Sequence, residues 1–160
     1  MYRRFAFEGD IHASLACVPL VVRRKLDLAG LKISLAGWQT LPRHERLALC
    51  HLPADTGEDV AVYAEVLRGC SARAGVPLSP LPGAPVSPGD WSAPAVIERV
   101  RARLGPGAID EAAVARLGEE ERYALYKLAE PRREPEKLVL LARELGLSRP
   151  DAEAASRPRL

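Results

Sequence analysis

Cys17, in "SLACVPLVVRRK", stands two residues ahead of Pro19 and of an apolar run that ends in Arg23, Arg24 and Lys25. A thiol near the start of a helix feels the positive end of the helix dipole, and neighbouring cations add to that pull toward thiolate. Cys17 is therefore a candidate reactive thiol. The competing reading is a small apolar side chain buried between Leu15 and Val18, the commoner fate of a free cysteine. The second candidate is cationic. Arg23, Arg24, Lys25 and Lys32, flanked by Glu8 and Asp10, form a charged patch that can dock a partner or hold an anion, and Arg99 and Arg103 share a later helical face. A solvated helix face is the bland alternative. No glycine-rich phosphate cradle accompanies the patch, because Gly105-Pro106-Gly107 is a turn whose proline removes a donor. Aromatic residues make up 5% of the chain, too few to supply base stacking, so nucleic acid is not an expected partner. Glu8 and Asp10 can also be read as an acid–base pair or, more simply, as capping acids before residues 11–15.

His44, Cys50 and His51 look like metal ligands, but spacing argues otherwise. Two ligands on one helix converge at i and i+4. Seven residues separate the histidines by about 10 Å of helix, and the neighbours Cys50 and His51 point about 100° apart. The reading is no metal, no cofactor and no convergent catalytic set, hence a non-catalytic protein.

These side chains need elements to hold them. Pro19 suits the first turn of a helix and Gly30 the position just past its end, with Val22, Leu26 and Ala29 as the buried stripe. On that reading Arg23, Arg24 and Asp27 form the wet face. Ser34 caps a short turn carrying Leu35 and Trp38. "LPRHERLALCHLP" is a helix ending before Pro53, and Thr56 with Asp59 makes a capping box for the next one. Residues 76–93, "VPLSPLPGAPVSPGDWSA", are rich in proline and form a stiff connector with Trp91 as an anchor. A helix then opens at Ser92-Ala93-Pro94 and stops at Gly105. Further helical stretches follow, the last ended by Gly146.

Residues 41–52, "LPRHERLALCHL", lie over residues 117–128, "LGEEERYALYKL", with Glu45-Arg46 opposite Glu121-Arg122. Trp38 falls opposite Val114, and Val22 and Leu26 opposite Val100 and Leu104. "EDVAVYAEVL" falls opposite "EKLVLLAREL". Both glutamates land at the third helical position, where Glu caps, and the two arginines are candidates to pair across the pseudo-symmetry. The fold class predicted is all-α: two pseudo-repeated three-helix halves joined by the proline-rich connector. Residues 1–147 form a single helical domain, with a first half at 14–75, the connector at 76–93 and a second half at 94–147. Residues 148–160 read as a disordered tail.

At 160 residues the chain can bury a full core without staples. Twenty-three Lys+Arg against 21 Asp+Glu leave a net charge of +2, which by itself does not indicate nucleic-acid binding. Three cysteines without a CxxC spacing point to reduced thiols. No stretch approaches the about 20 apolar residues that span a bilayer, and Glu8 and Asp10 break the pattern of a signal peptide. The expected location is the cytoplasm.

Residues 5–41 carry a specific pattern: Phe7, Glu8 and Asp10; Ser14, Leu15, Cys17 and Pro19; Val22, Arg23, Lys25, Leu26, Asp27, Gly30 and Lys32; then Trp38 and Leu41. This block resembles the opening of the nitrate reductase-associated protein family. A looser likeness continues through "RYALYKLAEP" to about Leu147, with Val114 where the family pattern has tryptophan. The resemblance implies a link to nitrate reductase and molybdenum-cofactor genes, mostly of cyanobacterial type. No catalytic residue is established for that family, so none is carried over. The function expected is a small cytosolic accessory protein for nitrate assimilation, docking on a protein of the nitrate reductase or molybdenum-cofactor machinery. The alternatives are a binder of a small anion or nucleic acid through the basic face of the first long helix, and a thiol enzyme using Cys17.

Overall fold

The computed structural model describes residues 1–149. The chain divides into two compact units, one of Met1–Arg4 with Glu8–Ser87 and one of Phe5–Phe7 with the chain from Pro88 onward. The division after Ser87 falls inside the proline-rich stretch.

In the first unit a one-turn helix α1, Ile11–Ser14, precedes α2, Leu20–Ala29. Pro19 is the residue before α2, and Gly30 ends it in the left-handed conformation (φ 66°), its N–H bonded to the Asp27 and Leu26 carbonyls. Helix α3, Leu35–Thr40, is capped by the Ser34 hydroxyl, which accepts from Gly37 N. Helix α4, Arg43–His51, stops before Pro53, and α5, Gly57–Ala74, opens with the Thr56–Asp59 capping box. Strand β1, Leu31–Lys32, pairs antiparallel with β2, Ser79–Pro80. That pair departs from a purely helical expectation; two residues are too short to leave an alternation in sequence. Gly37 is required by packing, since a Cβ there would lie 2.6 Å from Val76 Cγ1. Leu15, Val22, Trp38, Leu49, Tyr63 and Leu67 form the centre of the core and are fully buried.

In the second unit α6, Ala93–Leu104, is followed by α7, Glu111–Val114, α8, Glu119–Leu128, and α9, Pro135–Glu144. Asp110 caps α7 by accepting from Ala112 N and Ala113 N. Glu121 accepts from Gly118 N at 2.9 Å, the reciprocal bond expected of a third-position glutamate. Trp91, Val100, Val114, Tyr123, Leu125 and Leu141 are buried. Trp91 meets Tyr123 edge-on with ring centroids 4.9 Å apart. Ser148, expected to begin the tail, instead bridges antiparallel to Ile109. The rest of that expected tail, from residue 150, lies outside the described residues.

Candidate functional site

Residues 13–18 take in the end of α1 and the turn that leads to α2, and their carbonyls are collected by side chains from farther along the chain. Arg43 Nη2 donates to Ala13 O (3.0 Å). Trp38 Nε1 (2.8 Å) and Arg46 Nη1 (2.7 Å) both donate to Leu15 O. Gln39 Nε2 donates to Ala16 O (2.9 Å), and Arg23 Nε to Val18 O (3.1 Å). Leu15 is the one described non-glycine residue with positive φ, 53°. A leucine reaches that conformation only where its surroundings over-determine it. Here its side chain is fully buried and its carbonyl is doubly bonded. The result is a rigid loop with Ala13, Ser14, Ala16 and Cys17 exposed. Leu35, 51% exposed, lies on the same face of α3 as Gln39, one turn away.

Cys17 is therefore outside the core, against the reading that packs it between Leu15 and Val18. The loop turns at Leu15, so Leu15 and Val18 point inward while Ala16 and Cys17 do not.

The six charged candidates do not form one patch. Asp10 and Lys32 are exposed, and Arg23 is half-buried. Arg24, Lys25, Asp27 and Glu8 are buried, so the wet face assigned to α2 is corrected at Arg24 and Asp27, and Lys25 and Glu8 leave the docking surface. Helix α2 is covered nearly all round, and a polar side chain so placed must find a partner. Arg24 Nη2 reaches Asp55 Oδ1 at 3.4 Å. Lys25 Nζ donates to the carbonyls of Cys50 (2.7 Å), Leu49 (3.5 Å) and Leu52, capping the C-terminal turn of α4. A cation satisfies orphan carbonyls there and complements the negative end of the dipole.

Glu8 belongs to a buried polar chain. Its Oε1 accepts from Leu20 N at the start of α2 (2.9 Å), and its Oε2 meets His12 Nε2 at 2.7 Å. A carboxylate only accepts, so Nε2 carries the proton and Nδ1 faces the Tyr2 hydroxyl, 3.4 Å away. The Tyr2 hydroxyl also contacts the Cys50 thiol, and its ring meets His51 edge-on at 4.9 Å. Burial pushes the Cys50 thiol up, against the opposing pull of the Lys25 ammonium. Tyr2 and His12 were not singled out from the sequence, although the four-residue spacing of Glu8 and His12 was a usable signal. Arg46 and Arg122, expected to reach across the two halves, each bond within their own unit: Arg46 to Leu15 O, and Arg122 Nε to Trp91 O at 3.2 Å.

Among the described residues no cluster of three or more His, Cys, Asp or Glu is placed to hold a metal ion. Among them, too, no helix is long and apolar enough to cross a membrane. Neither a curated protein nor a solved structure matches the chain. A family model does, over residues 4–145, which takes in the loop, the buried Glu8–His12 pair and helices α1 to α9. By that match the chain belongs to the conserved nitrate reductase-associated protein family.

Proposed function

We propose that this chain is a non-catalytic cytosolic accessory protein that docks on nitrate reductase or on its molybdenum-cofactor maturation machinery. The docking surface is the rigid loop at residues 13–18 with Leu35 beside it, edged by Arg23, Lys32 and Asp10. The observation that carries this reading is the capture of four loop carbonyls by five side chains. A surface ordered before it meets a partner loses little conformational entropy on binding, so modest contacts suffice. Arg24 and Lys25 are engaged inside the unit, which removes most of the charge that an anion or nucleic-acid site on α2 would need.

The two units are, on this reading, copies of one helical element. Both arginines reach back 31 residues to the carbonyl ahead of their unit's first long helix, Arg46 to Leu15 and Arg122 to Trp91. Ser34 and Asp110 cap α3 and α7, the short helices that follow the first long helix of each unit. Lys25 and Arg103 each donate from that first long helix to carbonyls at or beyond the end of the third, Arg103 to Arg133 O. These likenesses support duplication.

Ala16→Arg tests the docking surface, because Ala16 contributes only backbone bonds to the loop. In titrations with purified nitrate reductase we expect binding to fall by about tenfold or more, with the unfolding midpoint unchanged. Binding equal to wild type, or no binding by wild type, overturns the proposal.

A further inference from the structure

Arg99 and Arg103 lie one turn apart on α6, and the second unit strings a chain of contacts between them. The Arg99 guanidinium sits over the Tyr126 ring of α8, its Cζ 4.0 Å from the centroid. Lys127 Nζ lies 6.0 Å from the same centroid and 3.1 Å from Glu130 Oε1. Glu130 Oε2 meets Arg133 Nε at 3.7 Å, and the Arg133 carbonyl accepts from Arg103 Nη2. All four cations are half-buried, so each keeps a side toward solvent. Four cations against the Glu130 carboxylate bonded among them leave three positive charges in one ribbon, more than the net charge of +2 of the whole chain. Neighbouring acids are taken up by other cations: Glu111 by Arg101 at 2.6 Å and Glu134 by Lys137 at 4.0 Å.

Arg99 is the distinctive member. Among the described residues it donates no hydrogen bond and forms no ion pair, while the ring holds its plane in place. A guanidinium so fixed, with its N–H edge unused, is arranged to take a carboxylate through two parallel bonds. We infer that this ribbon is a docking surface for an acidic segment of a partner protein, with Arg99 as its principal receptor. Arg99 is pinned over Tyr126 and Arg103 on the Arg133 carbonyl, so the two do not converge on a single phosphate. Side chains one helical turn apart are about 5–6 Å from each other. Alternate residues of an extended peptide repeat at about 6–7 Å, so every second acid meets the next cation. Nucleobases lack a stacking platform here, because Tyr126 carries Arg99 and both Tyr123 and Trp91 are buried.

The probe is a fluorescein-labelled peptide of alternating Glu and Ser, titrated with the full chain in low salt and read by fluorescence anisotropy. Its counterpart with Gln for every Glu and a single-stranded oligonucleotide run beside it. We expect the acidic peptide to bind, the Gln peptide not to, and rising salt to weaken the complex. Arg99→Gln should lower the affinity about tenfold, whereas Arg68→Gln, an exposed cation of α5 in the other unit, should stay within about twofold. The proposal is overturned if the acidic peptide does not bind, if Arg99→Gln stays within about twofold of wild type, or if Arg68→Gln weakens binding as much. An oligonucleotide that binds more tightly than the peptide and depends on Arg99 overturns it in favour of nucleic acid. Should Arg99→Gln fail to fold, Arg133→Gln, which keeps the carbonyl that holds Arg103, is judged by the same limits.

Discussion

Lys25 follows two arginines in sequence, yet its ammonium ends at the carbonyls of Leu49, Cys50 and Leu52. Replacing it with methionine keeps the stem and its packing but strips the cap from α4. We expect Lys25→Met to cost about 2–4 kcal/mol, because buried carbonyls lose a charged donor and regain no water. Lys32→Met, at an exposed position, should stay within about 0.5 kcal/mol. Urea denaturation of the two variants decides the matter; equal midpoints would mean that the Lys25 cap contributes nothing. The difference between the two lysines was not legible in the sequence. The stripe Val22–Leu26 correctly marked two buried positions, but periodicity reports one buried face, whereas α2 is covered on several. Cys17 shows the same limit in the other direction, since its apolar neighbours implied burial and the positive φ of Leu15 turned it out.

Helices were readable where a local signal defined them: the Thr56–Asp59 box, the Gly30 and Gly105 stops, and Ser34 and Ser92 at helix starts all sit where the sequence places them. The loop at residues 13–18 was not readable, because its holders are up to 31 residues away. A second long-range tie joins α4 to α5. Arg73 Nη2 and Nε donate to Glu45 Oε1 at 2.7 and 3.3 Å, and this guanidinium holds the Glu45 carboxyl below the ordinary carboxylate range. The helix start could not use Glu45 as Glu121 is used, since Pro42 offers no N–H. A carboxyl depressed in the folded state stabilises above its unfolded pKa and loses that contribution as pH falls through the folded value. The stability gap between wild type and Glu45→Gln should therefore be widest near neutrality and close as pH falls below about 4. Chemical denaturation across that range measures it, and a gap independent of pH would show that the pair is not coupled to folding.

At the scale of the whole chain, each unit runs from a long helix through a capped short helix to two more helices, and each closes a segment after its first long helix against one after its last. The sequence matched residues 41–52 with 117–128, and it misplaced what the shared arginines do. Arginines that paired across the halves would be energetically coupled. Arginines that tie the carbonyl ahead of the first long helix to their own unit would act independently. The bonds to Leu15 O and Trp91 O are of the second kind. Each is a charged donor to the carbonyl of a fully buried residue, so Arg46→Met and Arg122→Met should each cost about 2 kcal/mol. The double variant should lose the sum of the two within about 0.5 kcal/mol, as mutations without shared partners do. A double-mutant cycle by urea denaturation measures the coupling, and a coupling beyond about 1 kcal/mol would mean that the arginines work as a pair after all. Additivity would place the structural role of each arginine within its own unit, where it ties the carbonyl ahead of the first long helix.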